Sequence, residues 1–309
     1  ALGTLLILIA PDLGRIIDFT NFRAFKSATI SGGLGNLRHQ VSPLEALGIW
    51  PATDFRLSAS DASGPVAGFY LGALVGAGAT AAVAAEAVLV LSAGGSTATL
   101  AMLALIGTGG RGSQTRAAVR RAAIALAIGD AALWAAVAVV LATTGSAGFQ
   151  SLAALTGVPA IAVGILVAVA AIARAGSFPL HRWLAATAAT TTPASALLHA
   201  GFVNAGAILL LRFAEVPSGV GPWIVAVAGA VTMLCASVAM LTRPDVKGRL
   251  VQSTAAQMGF MLLACGLGAY GVALVHVLGH ALFKASLFLG AGSAVERAVR
   301  VVAEVQRVG

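Results

Sequence analysis

The sequence predicts an all-α fold, a polytopic transmembrane helical bundle of about eight spans with one discontinuous helix. Hydrophobic residues make up 59% of the 309 residues and charged residues only 10%, and the mean hydropathy is +0.94, which is far from that of a soluble domain. Long apolar runs without strict alternation favour helices, because only helices then satisfy the backbone groups inside lipid. The runs cover 66–92, 96–109, 122–144, 157–175, 193–213, 222–242, 248–267 and 271–293.

Most of these runs match the roughly 20 residues that a helix needs to cross the hydrocarbon core, although the run 96–109 is short for a span. The first 65 residues are more polar and are punctuated by glycine and proline. This composition predicts a membrane-peripheral segment over 1–65, whose role stays open. The transmembrane domain is then expected over 66–293 and a cytoplasmic tail over 294–309.

The net charge of +8 follows a pattern that is typical of a membrane protein and not of a nucleic-acid-binding protein. Basic residues follow every second apolar run, whereas the intervening linkers carry only Glu215, and Arg212 is the one exception. Because basic loops stay in the cytoplasm, both chain ends are expected there, in a multi-pass protein of the cell inner membrane. The basic residues that follow the second, fourth, sixth and eighth runs are Arg111, Arg116, Arg120, Arg121, Arg174, Arg182, Arg243, Lys247, Arg249, Arg297, Arg300 and Arg307.

Three ionisable residues, His276, His280 and Lys284, recur at steps of four inside the apolar run from Val272 to Ala291. On a helix this spacing places them on one face, about 6 Å apart along the axis. Ionisable groups are costly inside a bilayer, so such a ladder predicts a proton or ion pathway. Only three of the nineteen basic residues are lysine, and lysine, unlike arginine, can release its proton in a buried site. The alternative is that Lys284 extends to the membrane surface.

Neither a metal site nor a bound cofactor is predicted. His276 and His280 have the i, i+4 spacing of zinc ligands, but the glutamate of the His-Glu-x-x-His motif is not between them. Cys235 and Cys265 lie inside apolar runs, where cysteine is most simply a small hydrophobic residue.

The segment from Phe178 to His199 predicts the discontinuous helix. Pro193 follows three threonines that can cap a new helix start, and proline is favoured in the first helical turn. Broken helices mark ion sites in transporters, because the freed backbone groups must be buried in protein or line a cavity. An ordinary interhelical loop is the alternative, and a lone histidine such as His199 is more often a hydrogen-bonding residue between helices than a proton relay.

Four blocks of sequence, taken together, resemble the proton-conducting antiporter-like family. That family includes the large membrane subunits of respiratory complex I, Mrp-type sodium/proton antiporters and the membrane subunit of Dab-type inorganic-carbon-accumulating complexes. The similarity covers roughly 120–295 in the right order, and Leu198–Ala207 is most similar to the Dab-type branch. The blocks are Arg174–Leu184, Thr192–Gly201, Asp245–Thr254 and His276–Ser293.

The resemblance implies a role for five residues in a proton pathway. It makes Lys247 the central lysine, places His199 on the preceding broken helix, and makes His276, His280 and Lys284 the relay that follows. Asp130 matches a recurrent acidic position of the family, and Asp130 and Glu86 are further candidates for modulating the proton affinity of the lysines.

The chain also departs from the family pattern. Arg174 occupies the position of the first-half lysine, and an arginine cannot carry a proton. Ser96 occupies the position of the family's key glutamate, and Glu86, the one acid in that run, either substitutes for it or faces a helix partner. The first and the C-terminal spans of the family have no counterpart here, so a relative truncated at both ends is expected.

The resemblance therefore implies a proton-translocating subunit of a larger complex, a transporter subunit rather than a catalyst itself. A Dab-type role would energise inorganic carbon uptake through a large zinc-containing cytoplasmic subunit. Two alternatives stay open: an antiporter-like subunit of an NADH-quinone oxidoreductase or Mrp-type cation/proton antiporter, and a membrane anchor that conducts nothing. The expected partners are other membrane or peripheral subunits, protons and the lipid bilayer, and not nucleic acid.

Overall fold

The computed structural model describes residues 63–108 and 112–288 of the chain. The predicted tail over 294–309 and nearly all of the predicted peripheral segment over 1–65 lie outside this range. The first described helix begins at Ser63, three residues before the predicted start of the transmembrane domain.

Every regular element in these two described stretches is helical, which confirms the predicted all-α fold. Three short 3₁₀ turns, Phe149–Ala154, Thr187–Ala189 and Phe202–Asn204, interrupt or connect the helices. The α-helices are α1 Ser63–Val83, α2 Val88–Gly107, α3 Ser113–Thr144, α4 Gly157–Arg174, α5 Arg182–Ala186, α6 Thr192–Ala200, α7 Ala205–Arg212, α8 Val220–Leu241, α9 Val246–Gly266 and α10 Tyr270–Phe288.

Six helical stretches of the described chain are long and apolar enough to cross a membrane. They are α2, α3, α4, the stretch Ala194–Arg212 that combines α6 and α7, α8, and α10. With α1 and α9 added, each of the eight predicted runs has one helical counterpart. The polytopic transmembrane class is therefore confirmed, because these stretches account for most of the described chain.

The predicted boundary between the first two runs is wrong. The break lies between α1 and α2, where Ala87 takes an extended conformation and pairs with Gly148 in an isolated β-bridge. Apolar sequence on both sides of the break conceals it, so composition alone merged the start of α2 with α1. As a result α2 has 20 residues, enough for a full span.

Glycines let the antiparallel neighbours pack with their backbones in contact. A Cβ on Gly229 of α8 would lie 2.6 Å from the carbonyl oxygen of Gly259 of α9, and a Cβ on Gly78 of α1 would lie 2.7 Å from that of Gly94 of α2. Helices in lipid associate through such close approaches, because lipid tails are as apolar as the side chains and give no hydrophobic drive between helices. These crossings therefore stabilise the two helix pairs.

Three connections meet at one end of the bundle. The backbone N–H of Val88 donates to the carbonyl of Ala147 over 2.8 Å, which joins the α1–α2 and α3–α4 connections. Arg212, at the end of α7, donates to the carbonyl of Ala85, and its guanidinium lies 4.0 Å from the centre of the Phe149 ring. Arg212 thus interrupts the charge alternation because it holds these connections together.

Candidate functional site

Helix α10 carries its three ionisable residues on the face that packs into the bundle. Lys284 is 1% exposed and His280 is 5% exposed, whereas Leu282 and Phe283 between them point outward. The steps of four in the sequence bring each group back to the same face of the helix. The ladder is therefore turned toward the neighbouring helices and away from lipid.

The ammonium of Lys284 contacts α9. Its Nζ donates to the carbonyl oxygen of Leu250 over 3.2 Å, and the Thr254 hydroxyl donates to the same oxygen over 3.0 Å. Lys284 is among the largest fully buried side chains of the described chain, so it does not extend to the membrane surface. A buried ammonium whose one described partner is a neutral carbonyl oxygen is electrostatically costly, which is typical of functional groups in membranes.

The two histidines of the ladder continue from Lys284 along α10. The rings of His276 and His280 are nearly parallel, with centroids 6.1 Å apart. Both ring nitrogens of His280 and Nε2 of His276 are buried without a hydrogen-bond partner among the described residues. Leaving such a group unsatisfied costs about 1–3 kcal/mol, so this cluster is retained at a cost to stability.

His199 on α6 faces the same region. Its ring is fully buried and stacks on Phe288 of α10, with centroids 4.5 Å apart and an interplanar angle of 4°. Both of its nitrogens also lack a partner within the described chain. His199 lies close enough to Lys247, His280 and Lys284 for their charges to interact. Three helices thus bring four ionisable groups together.

Lys247 lies in the first turn of α9, where the positive end of the helix dipole disfavours a cation. Its Nζ donates to the carbonyl oxygen of Thr190, and the carboxylate of Asp245 caps α9 by accepting from the N–H of Gly248 over 2.6 Å. The Thr190 carbonyl can contact Lys247 because the helix breaks between α5 and α6, and it also accepts from the Ser195 hydroxyl over 3.5 Å. Both acceptors offset the unfavourable dipole at Lys247.

The predicted discontinuous helix is confirmed, and it has one more break than predicted. Residue Thr191 is the N-cap of α6, although its side chain makes no capping hydrogen bond. A second break follows at Gly201, where the chain turns through Phe202–Asn204 before α7 begins. Sequence reasoning missed it, and the signal was Gly201 followed by Asn204 within an apolar run. His199 therefore lies on a nine-residue helix that is broken at both ends.

A second buried cluster joins α2, α3 and α4. Arg174 is 3% exposed, its Nη2 lies 2.5 Å from Oδ1 of Asp130, and its Nη1 donates to the carbonyl oxygen of Gly95 over 3.3 Å. A Cβ on Gly95 would lie 2.8 Å from Nη2, so the glycine makes room for the guanidinium. Ser96 accepts a hydrogen bond from the indole of Trp134 over 3.1 Å.

Glu86 does not take part in either cluster. It is exposed in the connection between α1 and α2, before the start of the helix that carries Gly95. Helix α1 ends at Val83, so Glu86 lies on neither α1 nor α2. Its expected role, as a substitute for the glutamate at position 96 or as a group that faces a helix partner, stays a prediction. Asp130 is the carboxylate that Arg174 contacts.

Within 63–108 and 112–288, no group of three histidine, cysteine, aspartate or glutamate side chains is arranged to hold a metal ion.

Comparison with known sequences bears on the resemblance. Among curated relatives, the probable inorganic carbon transporter subunit DabB1 of Halothiobacillus neapolitanus is 47% identical over 150 residues, which are 47% of this chain and 27% of the relative. NADH-quinone oxidoreductase subunit L of Campylobacter jejuni is 41% identical over 145 residues, which are 46% of this chain and 24% of the relative. The chain spans about a quarter of the length of these relatives.

Two solved structures have a similar fold. The Mrp complex from Dietzia sp. contains a chain that matches 72% of this chain and 26% of its own length, with a TM-score of 0.68 and 32% identity. The membrane-bound sulfane sulfur reductase, an archaeal respiratory membrane complex, matches 72% of this chain and 40% of its own with a TM-score of 0.65, and at 22% identity it supports the fold alone. Residues 87–307 match the family model described as NADH:quinone oxidoreductase/Mrp antiporter, transmembrane. Since that match covers most of the chain, the protein belongs to the NADH:quinone oxidoreductase/Mrp antiporter transmembrane family.

Proposed function

We propose that this chain is the proton-translocating membrane subunit of a larger complex, with Lys247, His199, Lys284, His280 and His276 as its pathway. The observation that carries the proposal is the convergence of three buried groups, His199 of α6 and His280 and Lys284 of α10, with the half-buried Lys247 of α9. Imidazole and amine groups exchange protons readily, and intramembrane ionisable groups mark ion pathways.

The order of the groups supports a directional route. Lys247 lies in the first turn of α9. Leu250, whose carbonyl accepts from Lys284, is one turn further into the bundle. His280 and His276 then follow on α10 at steps of about 6 Å. Both ring nitrogens of His280 and Nε2 of His276 have no hydrogen-bond partner among the described residues, so they are available to bind and release a proton.

In this proposal, the end of the bundle that carries Lys247 faces the cytoplasmic side of the inner membrane. Exposed basic residues collect at that end, as Arg243 and Arg249 show, and the positive-inside rule retains such residues in the cytoplasm. Partner subunits in the membrane or on its surface are expected, since the similar Mrp and sulfane sulfur reductase chains belong to multi-subunit complexes.

The role of the complex is inorganic carbon uptake, energised through a zinc-containing cytoplasmic subunit. Relatives from Halothiobacillus neapolitanus and Bacillus subtilis, each named a probable inorganic carbon transporter subunit, support this choice. A role in an NADH-quinone oxidoreductase or an Mrp-type antiporter is the second candidate, supported by the Campylobacter jejuni relative and the Mrp structure. Purification separates them: one large zinc-bearing partner supports the first, and several membrane subunits of the same family support the second.

Proton flux into proteoliposomes tests the pathway. The wild-type chain with its co-purifying partner is compared with Lys284→Ala and His280→Ala, and with His181→Ala as a control, because His181 is exposed and lies apart from the cluster. We expect flux to be lost in the first two variants and kept in the control while the complex stays assembled. Equal flux in all of them, or none in any, would overturn the pathway in favour of a non-conducting anchor.

A further inference from the structure

Asp130 carries a carboxylate inside the membrane-spanning part of the chain, and Arg174 forms an ion pair with it. Its Oδ1 lies 2.5 Å from Nη2 of Arg174, and its side chain is mostly buried. A carboxylate in such a position would ordinarily bind and release protons. The guanidinium of Arg174 keeps its own protons under working conditions, so the pair as a whole has none to exchange.

The surrounding helices hold Arg174 in place. Gly95 of α2 leaves the space that the guanidinium fills and accepts a hydrogen bond from Nη1. Arg174 ends α4, and Asp130 lies in the middle of α3, so the contact ties three helices. A planar guanidinium bound to two acceptors is fixed in orientation, which a flexible lysine at this position would not be.

A cavity lies beside the guanidinium that Asp130 and Gly95 hold in place. A space of about 110 Å³ lies between α1, α2 and the α6–α7 break, and Arg174 and Gly95 form part of its wall. Its lining also includes Gly201 and Phe202, which directly follow the short helix that carries His199. The cavity thus extends from the arginine toward the helix of the proposed pathway.

We infer that Arg174 silences Asp130: the guanidinium holds the carboxylate in an ion pair and separates it from the cavity, so that α2, α3 and α4 offer no group to a migrating proton. In this role Arg174 prevents a leak and Asp130 positions Arg174. The inference goes beyond the proposed function, because the leak that it predicts is independent of Lys284.

The test frees the carboxylate in a chain whose proposed relay is already disabled. In the Lys284→Ala background, Arg174→Ala removes the guanidinium, leaves Asp130 unpaired and enlarges the cavity. Water then reaches a proton-binding group. We expect an imposed pH gradient across proteoliposomes to decay about tenfold faster than with Lys284→Ala alone, which corresponds to a barrier lowered by ~1.4 kcal/mol.

A third variant identifies the carrier. Adding Asp130→Asn to the Arg174→Ala and Lys284→Ala changes removes the acid and keeps the enlarged cavity, so the leak should return to the level of Lys284→Ala alone. No leak from a folded Arg174→Ala, Lys284→Ala chain would overturn the inference. A leak that persists after Asp130→Asn would overturn it as well, because the carboxylate would not be the carrier.

Folding is controlled separately. If Arg174→Ala does not assemble, Arg174→Gln replaces it, since the amide can still donate to the Gly95 carbonyl without holding Asp130 in an ion pair. The wild-type measurement tells the two proposals apart. A wild type without proton flux would refute the proposed function, while the leak comparison would still decide the role of Arg174.

Discussion

Two buried clusters of charged residues in this bundle differ in how their charges are matched. Arg174 has a carboxylate at 2.5 Å and a backbone carbonyl at 3.3 Å, so its charge is compensated. Lys284 has only the Leu250 carbonyl, and nearby His199 and His280 have nitrogens without partners in the described chain. The difference indicates that one cluster holds helices together and the other retains groups that can exchange a proton.

The largest expected effect is a change in the free energy of unfolding, and it should differ between the two clusters. Asp130→Asn leaves the buried guanidinium without its counter-charge, and breaking such a pair costs about 3–5 kcal/mol of unfolding free energy. Lys284→Met removes an ammonium that has no carboxylate partner among residues 63–108 and 112–288, and replacing such a charge by an apolar side chain is typically neutral or stabilising. Thermal melting in detergent measures both changes.

The double variant Arg174→Met with Asp130→Asn is the matched control for that experiment. Removing both charges should restore much of the stability that Asp130→Asn loses, because no unpaired charge remains. Equal destabilisation by Asp130→Asn and Lys284→Met would contradict the distinction between a compensated and an uncompensated cluster.

A smaller effect is expected when Lys284, in the uncompensated cluster, is replaced by arginine. Lys284→Arg keeps a positive charge and a donor for the Leu250 carbonyl but cannot release its proton, so flux should fall by about tenfold or more. Arg249→Lys, on the exposed side of α9, controls for exchanging the two basic residue types. Wild-type flux in Lys284→Arg would show that Lys284 acts only as a fixed charge, and proteoliposome measurements decide this.

Local patterns carried most of what could be predicted. The ladder on α10 follows from a spacing of four within one helix, and the α5–α6 break follows from Pro193 after three threonines. Both patterns lie within a few consecutive residues, so they can be recognised in one sequence without knowledge of the packing.

Contacts between distant segments could not be predicted in this way. Arg174 and Asp130 are 44 residues apart, and Arg212 and Ala85 are 127 residues apart, so only the packed bundle brings them together. The α1–α2 break was missed for a different reason. Apolar residues flank it on both sides, and the extended conformation of Ala87 depends on its pairing with Gly148 in another connection.

The smallest expected effect concerns the helix start beside Lys247. Asp245→Ala removes the carboxylate that caps α9 and should cost about 1 kcal/mol of unfolding free energy. Thr191→Ala is the matched control, because Thr191 is also an N-cap but its side chain makes no capping bond, so its effect should stay within about 0.5 kcal/mol. If both variants melt like the wild type, the Asp245 cap does not stabilise α9. If only Asp245→Ala also lowers proton flux, the carboxylate supports Lys247 electrostatically as well, since it offsets the positive end of the helix dipole at that lysine.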